Sequence, residues 1–252
     1  MKYSEEIFLK AKKIHERILT VDTHIDIQLH NFTKKQNYTQ QLNTQVNLPL
    51  MEVGDLNVAW LVVFTSQGML DKAGFDFAYK DALRKFRAIH ELCTEFSPGA
   101  LGLARNYQEA LNLSNQGKRV VMIGVENGYP IGNDISRVRE FYDLGARYLS
   151  FSHNGHSQLC DSHTGEENND WLHYGLSSFG KQVVGEMNKL GMMIDVSHPS
   201  KKSMKDIIAC SKAPIIASHS SARAICNHSR NLDDEQLEWI KESGGVIQVV
   251  AF

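Results

Sequence analysis

Strand-length apolar runs alternate with helical stretches along this chain, and few folds accommodate that order. We count seven runs, at residues 18–26, 58–65, 120–126, 146–153, 191–198, 214–219 and 244–251. Periodicity predicts helices at residues 4–17, 75–96, 107–115, 135–144, 177–190, 201–209 and 233–242. Gly145 and Gly191 stand at expected helix C-caps, and Ser200 and Asp233 at expected N-caps. This alternation is typical of a parallel sheet built from βα units.

The predicted fold class is therefore α/β, a TIM-type (β/α)8 barrel in a single domain over residues 1–252. Two polar stretches, 31–47 and 153–174, are predicted to be long loops rather than domain boundaries. Seven units leave such a barrel one strand short, and the last apolar run reaches the end of the sequence at Phe252. A strand without a neighbour has an open hydrogen-bonding edge. We expect the eighth strand to be missing and the domain to be incomplete at the C-terminus; an open or rearranged barrel is the alternative.

Composition excludes several classes of protein. The chain is 42% hydrophobic and 22% charged, with a net charge of -2 and no long block of like charge, which predicts a globular protein without a nucleic-acid partner. Residues 1–20 lack the apolar core and cleavage site of a secretory signal, and the longest apolar run, 58–64, is too short to span a bilayer. We expect a cytoplasmic protein with no membrane partner. The four cysteines show no CxxC spacing, which favours buried free thiols.

Polar side chains close five of the predicted strands. They are His24 and Asp26 on the first strand, then Glu126, His153, His198 and His219 on four later ones. Residues i and i+2 of a strand share a face, so His24 and Asp26 can chelate one ion. In a barrel the carboxyl ends of all strands meet at one rim. A lone histidine at a strand end is more often structural, but this convergence favours a site for zinc or a similar divalent ion.

Longer motifs make the interpretation more specific. In chain order they read VDTHID, GVENG, SFSHNGHSQLCDS, LSSFGKQVVGEMNKLGMMIDVSH and ASHSSARAICNHSRNL. These stretches resemble those of the membrane (renal) dipeptidase family of zinc peptidases, in the same order and over nearly the whole chain. The resemblance implies a metal-dependent hydrolase, a dipeptidase that acts on small peptides with a free C-terminal carboxylate. It also implies homodimers.

The resemblance also implies roles for individual residues. His24 and Asp26 would bind one Zn²⁺, His198 and His219 the other, and Glu126 would bridge both ions; other divalent metals remain alternatives. Two ions bridged in this way can hold a hydroxide that attacks the peptide bond.

Two further residues would act on the substrate. His153 would polarise the carbonyl, and together with Glu126 it forms the predicted catalytic pair. Arg230 would bind the terminal carboxylate through its planar guanidinium, although a solvated arginine is the alternative for this position. His156 and His163, in the loop at 153–174, either line the pocket or lie on the surface.

The sequence departs from the family at its end. In the family an aspartate at the end of the eighth strand contributes to the site, and this sequence stops before any such position. Asp233 and Asp234 fall at a helix start and cannot replace it. A missing proton-transfer group typically costs about 10² to 10⁴ in rate. Two other functions therefore stay open. One is another amidohydrolase-like metal hydrolase acting on a lactam or an N-acyl amino acid, and the other is an inactive metal-binding fragment.

Overall fold

The computed structural model describes residues 4–250, and over that range it shows an α/β protein with a parallel sheet. Its strands are β1 (Val21–Asp26), β2 (Val58–Phe64), β3 (Leu101–Leu103), β4 (Arg119–Glu126), β5 (Ala146–Ser150), β6 (Met193–Asp195), β7 (Ile216–Ser220) and β8 (Val246–Val249). Its helices are α1 (Glu5–His15), α2 (Leu48–Val53), α3 (Lys72–Glu91), α4 (Tyr107–Asn115), α5 (Ser136–Asp143), α6 (Ser178–Leu190), α7 (Lys201–Cys210) and α8 (Asp234–Glu242). No helix within the described range is long and apolar enough to cross a membrane.

Seven strands follow one another around the sheet in the order β1-β2-β4-β5-β6-β7-β8, and every pair is parallel. The short β3 pairs with the first residues of β4 and stands off this path. The sheet curls so far that Thr23 Oγ1 of β1 donates a hydrogen bond to the Ser218 carbonyl of β7 at 2.6 Å. Over the described residues β8 and β1 do not pair. The predicted TIM-type barrel with one strand lacking from its ring is confirmed.

Both faces of β2 and β4 are buried, which explains why the sequence shows continuous apolar runs there rather than alternation. On β2, Ala59, Leu61 and Val63 belong to the large core that packs under the helices. The intervening Trp60 and Val62 point into the barrel, in a cluster with the β4 and β5 side chains. This period of two fixes which strand residues reach the barrel interior.

Helix ends follow the predicted signals. The Ser200 side chain accepts a hydrogen bond from Ser203 N at 3.1 Å, and Asp233 forms a capping box with Gln236. Gly191 ends α6 with a left-handed φ of 72°, a conformation that glycine adopts without a Cβ clash. These capping residues therefore fix where the helices begin or end, and so where the chain turns between helix and strand.

Some predicted elements differ from the structure. The runs at 146–153 and 191–198 are strands only to Ser150 and Asp195, because the backbone then leaves the ladder; after β6, Ser197 N donates to the Asp195 side chain at 3.1 Å instead. The helix α2 and the strand β3 are not predicted. The last residue of the 244–251 run lies outside the described residues. The four cysteines are free as predicted, but only Cys93 and Cys160 are buried; Cys210 is half-buried and Cys226 is exposed.

Candidate metal centre

Five of the predicted site residues meet at the carboxyl-terminal rim of the barrel. Glu126, the last residue of β4, stands at their centre. His198 Nε2 and His219 Nε2 lie 3.0 and 3.2 Å from Glu126 Oε1. His24 Nε2 lies 3.5 Å from the other carboxylate oxygen, and His153 Nε2 lies 3.8 Å from Oε1. Residues more than a hundred positions apart therefore direct nitrogen atoms at one carboxylate.

Burial and hydrogen bonding set the charge of this centre. Burial alone would raise the pKa of Glu126, but the imidazoles of His198, His219 and His24 beside its oxygens hold it well below its usual value. Burial lowers the pKa of His198 well below its usual value, and it also lowers the pKa of His153. Burial also lowers the pKa of His219, whereas for His24 the effect of burial is outweighed by the Glu126 carboxylate, which raises its pKa. At neutral pH the centre therefore combines one carboxylate with neutral imidazoles at His153, His198 and His219, which are protonation states that bind metals.

The donor set fits a divalent cation. His198 Nε2 and His219 Nε2 are 3.1 Å apart, and the rings of His24 and His219 stack at 3.5 Å. Lone pairs this close repel unless a proton or a cation lies between them. The donor atoms form two groups that share Glu126, namely His24 with His219 and His153 with His198. Imidazole nitrogens with a bridging carboxylate suit zinc.

Asp26 lies apart from both groups. Its side chain is 73% exposed, and its Oδ1 is 3.9 Å from His24 Nε2. The β1 pair therefore does not converge as closely as the spacing i and i+2 suggests, and the role of Asp26 as a ligand stays a prediction.

Arg230 is buried beside the centre, not solvated. It is 5% exposed; its guanidinium donates to Ser220 Oγ at 3.1 Å and to the His219 carbonyl at 2.6 Å. Burial lowers the pKa of Arg230 to about 10, so it stays charged at neutral pH. His163 is also buried, and its ring contacts Asn154 Oδ1 and Ser229 Oγ, each at 3.1 Å. That contact links the loop after β5 to the loop that carries Arg230.

A further layer of polar residues lies beneath the rim, and the sequence reasoning missed it. Ser218 Oγ is 2.8 Å from His219 Nδ1 and 2.6 Å from Asp195 Oδ2. Tyr148 is fully buried, and its hydroxyl contacts His24 Nδ1 at 3.3 Å. A signal was available for Asp195, because it is a carboxylate inside the apolar run GMMIDV. Unpaired buried carboxylates are costly, so such a residue must have hydrogen-bond donors around it.

Comparison with known proteins agrees with this geometry. A model of the membrane dipeptidase family, peptidase family M19, matches residues 9–252. The chain belongs to this family. Dipeptidase aclJ of Aspergillus oryzae is 30% identical over 262 residues, which cover 96% of this chain and 61% of that protein. The chain thus spans less than two thirds of the length of that relative.

Solved structures of a probable dipeptidase and of a metallo peptidase share the fold. The probable dipeptidase PvdM from Pseudomonas aeruginosa superimposes with a TM-score of 0.90 at 32% identity, over 99% of this chain and 64% of that one. A metallo peptidase from Rhodobacter sphaeroides, liganded with a phosphinate mimic of the dipeptide L-Ala-D-Ala, gives a TM-score of 0.77 at 25% identity, over 92% of this chain and 73% of that one. The similarity of the barrel to these two structures therefore agrees with the family assignment.

Proposed function

We propose that this protein is a metal-dependent dipeptidase that hydrolyses dipeptides with a free C-terminal carboxylate. It would use two divalent cations, with zinc as the first candidate. The observation that carries the proposal is the convergence of four imidazole nitrogens within 3.8 Å of the Glu126 carboxylate. A structural histidine cluster has no need to direct that many nitrogens at one buried acid. His24, Glu126, His198 and His219 would hold the cations, with Asp26 completing the set from the rim.

Arg230 would select the substrate. A guanidinium has five N–H groups. Hydrogen bonds to Ser220 and to the His219 carbonyl use two of them, which leaves donors for a substrate carboxylate. Because Arg230 is fixed close to the β7 ligand His219, the carboxylate it binds must be close to the bond that is cleaved. A short peptide with a free C-terminus meets that condition.

His153 and Glu126 would move and stabilise charge around the scissile bond. His153 is partly buried, and its lowered pKa makes it neutral at neutral pH, so it can donate one N–H to the developing oxyanion. Glu126 stays ionised, and its negative charge can offset that of the cations beside the scissile bond. Bound divalent cations would polarise the carbonyl and lower the pKa of an attacking water. The dipeptide mimic in the Rhodobacter relative supports this substrate class.

Hydrolysis of alanyl dipeptides by the purified chain tests the proposal. We expect turnover with added zinc and none after chelation, with recovery when zinc is returned. Arg230→Ala should reduce hydrolysis of a dipeptide strongly while changing hydrolysis of its C-terminal amide little. Arg147→Ala, at the opposite end of the barrel, serves as the control, because its guanidinium bonds the Arg105 carbonyl far from the rim.

Two results would contradict the proposal. Equal losses on the dipeptide and on its amide would favour a different amide substrate, such as a lactam or an N-acyl amino acid. Zinc uptake without turnover of any dipeptide would instead indicate a metal-binding protein that is not an enzyme by itself.

A further inference from the structure

Two imidazole rings of the metal centre have an oxygen partner on the nitrogen that faces away from Glu126. Ser218 Oγ lies 2.8 Å from His219 Nδ1, and Tyr148 Oη lies 3.3 Å from His24 Nδ1. A neutral imidazole carries a proton on one nitrogen and a lone pair on the other. The partner at Nδ1 therefore decides whether Nε2 can bind a cation.

The protons of both hydroxyl groups are already engaged elsewhere. Ser218 donates its proton to Asp195 Oδ2 at 2.6 Å, and Tyr148 donates to the Thr23 carbonyl at 2.9 Å. A hydroxyl has a single proton, so each oxygen can only accept a hydrogen bond from the adjacent ring. The arrangement favours the Nδ1–H form of both rings and leaves the Nε2 lone pairs directed at Glu126.

We propose that Asp195, through the Ser218 hydroxyl, holds His219 in the tautomer that binds a divalent cation through Nε2, and that Tyr148 does the same for His24. This inference rests on the proposed function, because the cations are those of the proposed dipeptidase centre. All three are positioning residues, since Ser218 and Tyr148 contact the rings and Asp195 acts through Ser218. Loss of such a partner typically lowers metal affinity by about 10–100-fold.

The hydrogen bonds of Asp195 make one substitution especially informative. Asp195 Oδ1 accepts from Ser197 N at 3.1 Å, from Ser197 Oγ at 2.6 Å and from Ser218 N at 2.9 Å. In Asp195→Asn the amide oxygen would stay at this position, because three donors point to it, and the NH₂ group would face Ser218 Oγ. The hydroxyl would then accept from the amide and donate to His219 Nδ1. That reversal would place the ring proton on Nε2 and block the ligand.

Zinc affinity, measured by competition with a chromophoric chelator, tests the inference. We expect affinity to fall by about 10–100-fold in Ser218→Ala and in Tyr148→Phe, and by at least as much in Asp195→Asn as in Ser218→Ala. In the zinc-loaded protein, NMR should show an Nδ1–H proton on His219 that is protected from exchange, and Ser218→Ala should remove that protection. Ser203→Ala is the matched control, because Ser203 is equally buried but donates to the Asp161 carbonyl at 2.9 Å. It should keep the affinity of the unaltered chain.

The outcomes separate this inference from the proposed function. If the unaltered chain binds zinc and Ser218→Ala and Asp195→Asn bind it equally well, the inference is overturned and the dipeptidase proposal stands. If these variants lose affinity as expected but the unaltered chain hydrolyses no dipeptide, the proposed function fails and the inference stands. No zinc binding by the unaltered chain would overturn both. Tyr148→Phe keeps the buried ring, so it tests the same reasoning should Asp195→Asn fail to fold.

Discussion

Gly124 lies in the middle of β4, and the Tyr148 ring occupies the space where a side chain would go. A Cβ at Gly124 would come within 2.0 Å of Tyr148 Cζ and within 2.4 Å of its hydroxyl oxygen. Tyr148 cannot move aside easily, because it is fully buried, stacks on Trp60 at 5.2 Å and donates to the Thr23 carbonyl. Gly124→Ala therefore forces either the ring or the strand to shift.

Overpacking of this kind typically costs about 1–3 kcal/mol of unfolding free energy. For a domain of this size each kcal/mol moves Tm by about 2–4 °C, so Gly124→Ala should lower Tm by about 2–12 °C. Gly185 gives a matched control with the opposite sign. It is exposed within α6, and a Cβ there meets no atom within 4 Å. Gly185→Ala should raise stability by about 0.5–1 kcal/mol.

Thermal unfolding followed by circular dichroism at one scan rate measures both variants against the unaltered chain. A Tm for Gly124→Ala equal to or above that of the unaltered chain would refute the packing argument. A fall in Tm for Gly185→Ala as large as that for Gly124→Ala would also refute it, because the loss would then come from the substitution of glycine itself. The structure therefore predicts a lower Tm for Gly124→Ala and a higher Tm for Gly185→Ala.

Three further predictions concern the thiols, the metal and a helix cap. A thiol reagent should label the exposed Cys226 quickly and Cys160 only after unfolding, because burial raises the pKa of Cys160 to about 12; rapid labelling of Cys160 would contradict its placement. Zinc at a hundred times its dissociation constant should add about 2.7 kcal/mol of stability, and Glu126→Gln should remove most of that gain; an equal rise in Tm with Glu126→Gln would exclude Glu126 as a ligand. Asp233→Ala removes the capping box of α8 and the 2.7 Å ion pair with Lys201, and should cost about 0.5–2 kcal/mol by chemical denaturation; an unchanged unfolding midpoint would contradict this.

The positions of β2 and β4 could be predicted from the sequence because both of their faces are buried, so that the runs at 58–65 and 120–126 are almost entirely apolar. The short β3 could not, since three residues are too few to show a period. Most of the rim residues could be predicted too, because strand ends in a parallel barrel converge whatever their spacing in the chain.

The layer beneath the rim could not be predicted in the same way. Whether Ser218 meets His219 and Asp195, or Tyr148 meets His24, depends on the direction of each hydroxyl after the sheet has curled. No periodicity encodes that direction. For Asp26 the sequence suggested more than the structure shows. Its spacing of two residues from His24 permits chelation, but its carboxylate is exposed at the rim.

The hydrogen bond between Thr23 and Ser218 joins residues 195 positions apart in the chain. Contacts that close long loops form late in folding, because the entropy of ordering the intervening chain must be lost first. The same closure brings β1 and its His24 against β7 and its His219. We therefore expect the two halves of the metal centre to assemble only at the end of folding, so that a cation can slow unfolding but cannot guide the early steps by which the barrel forms.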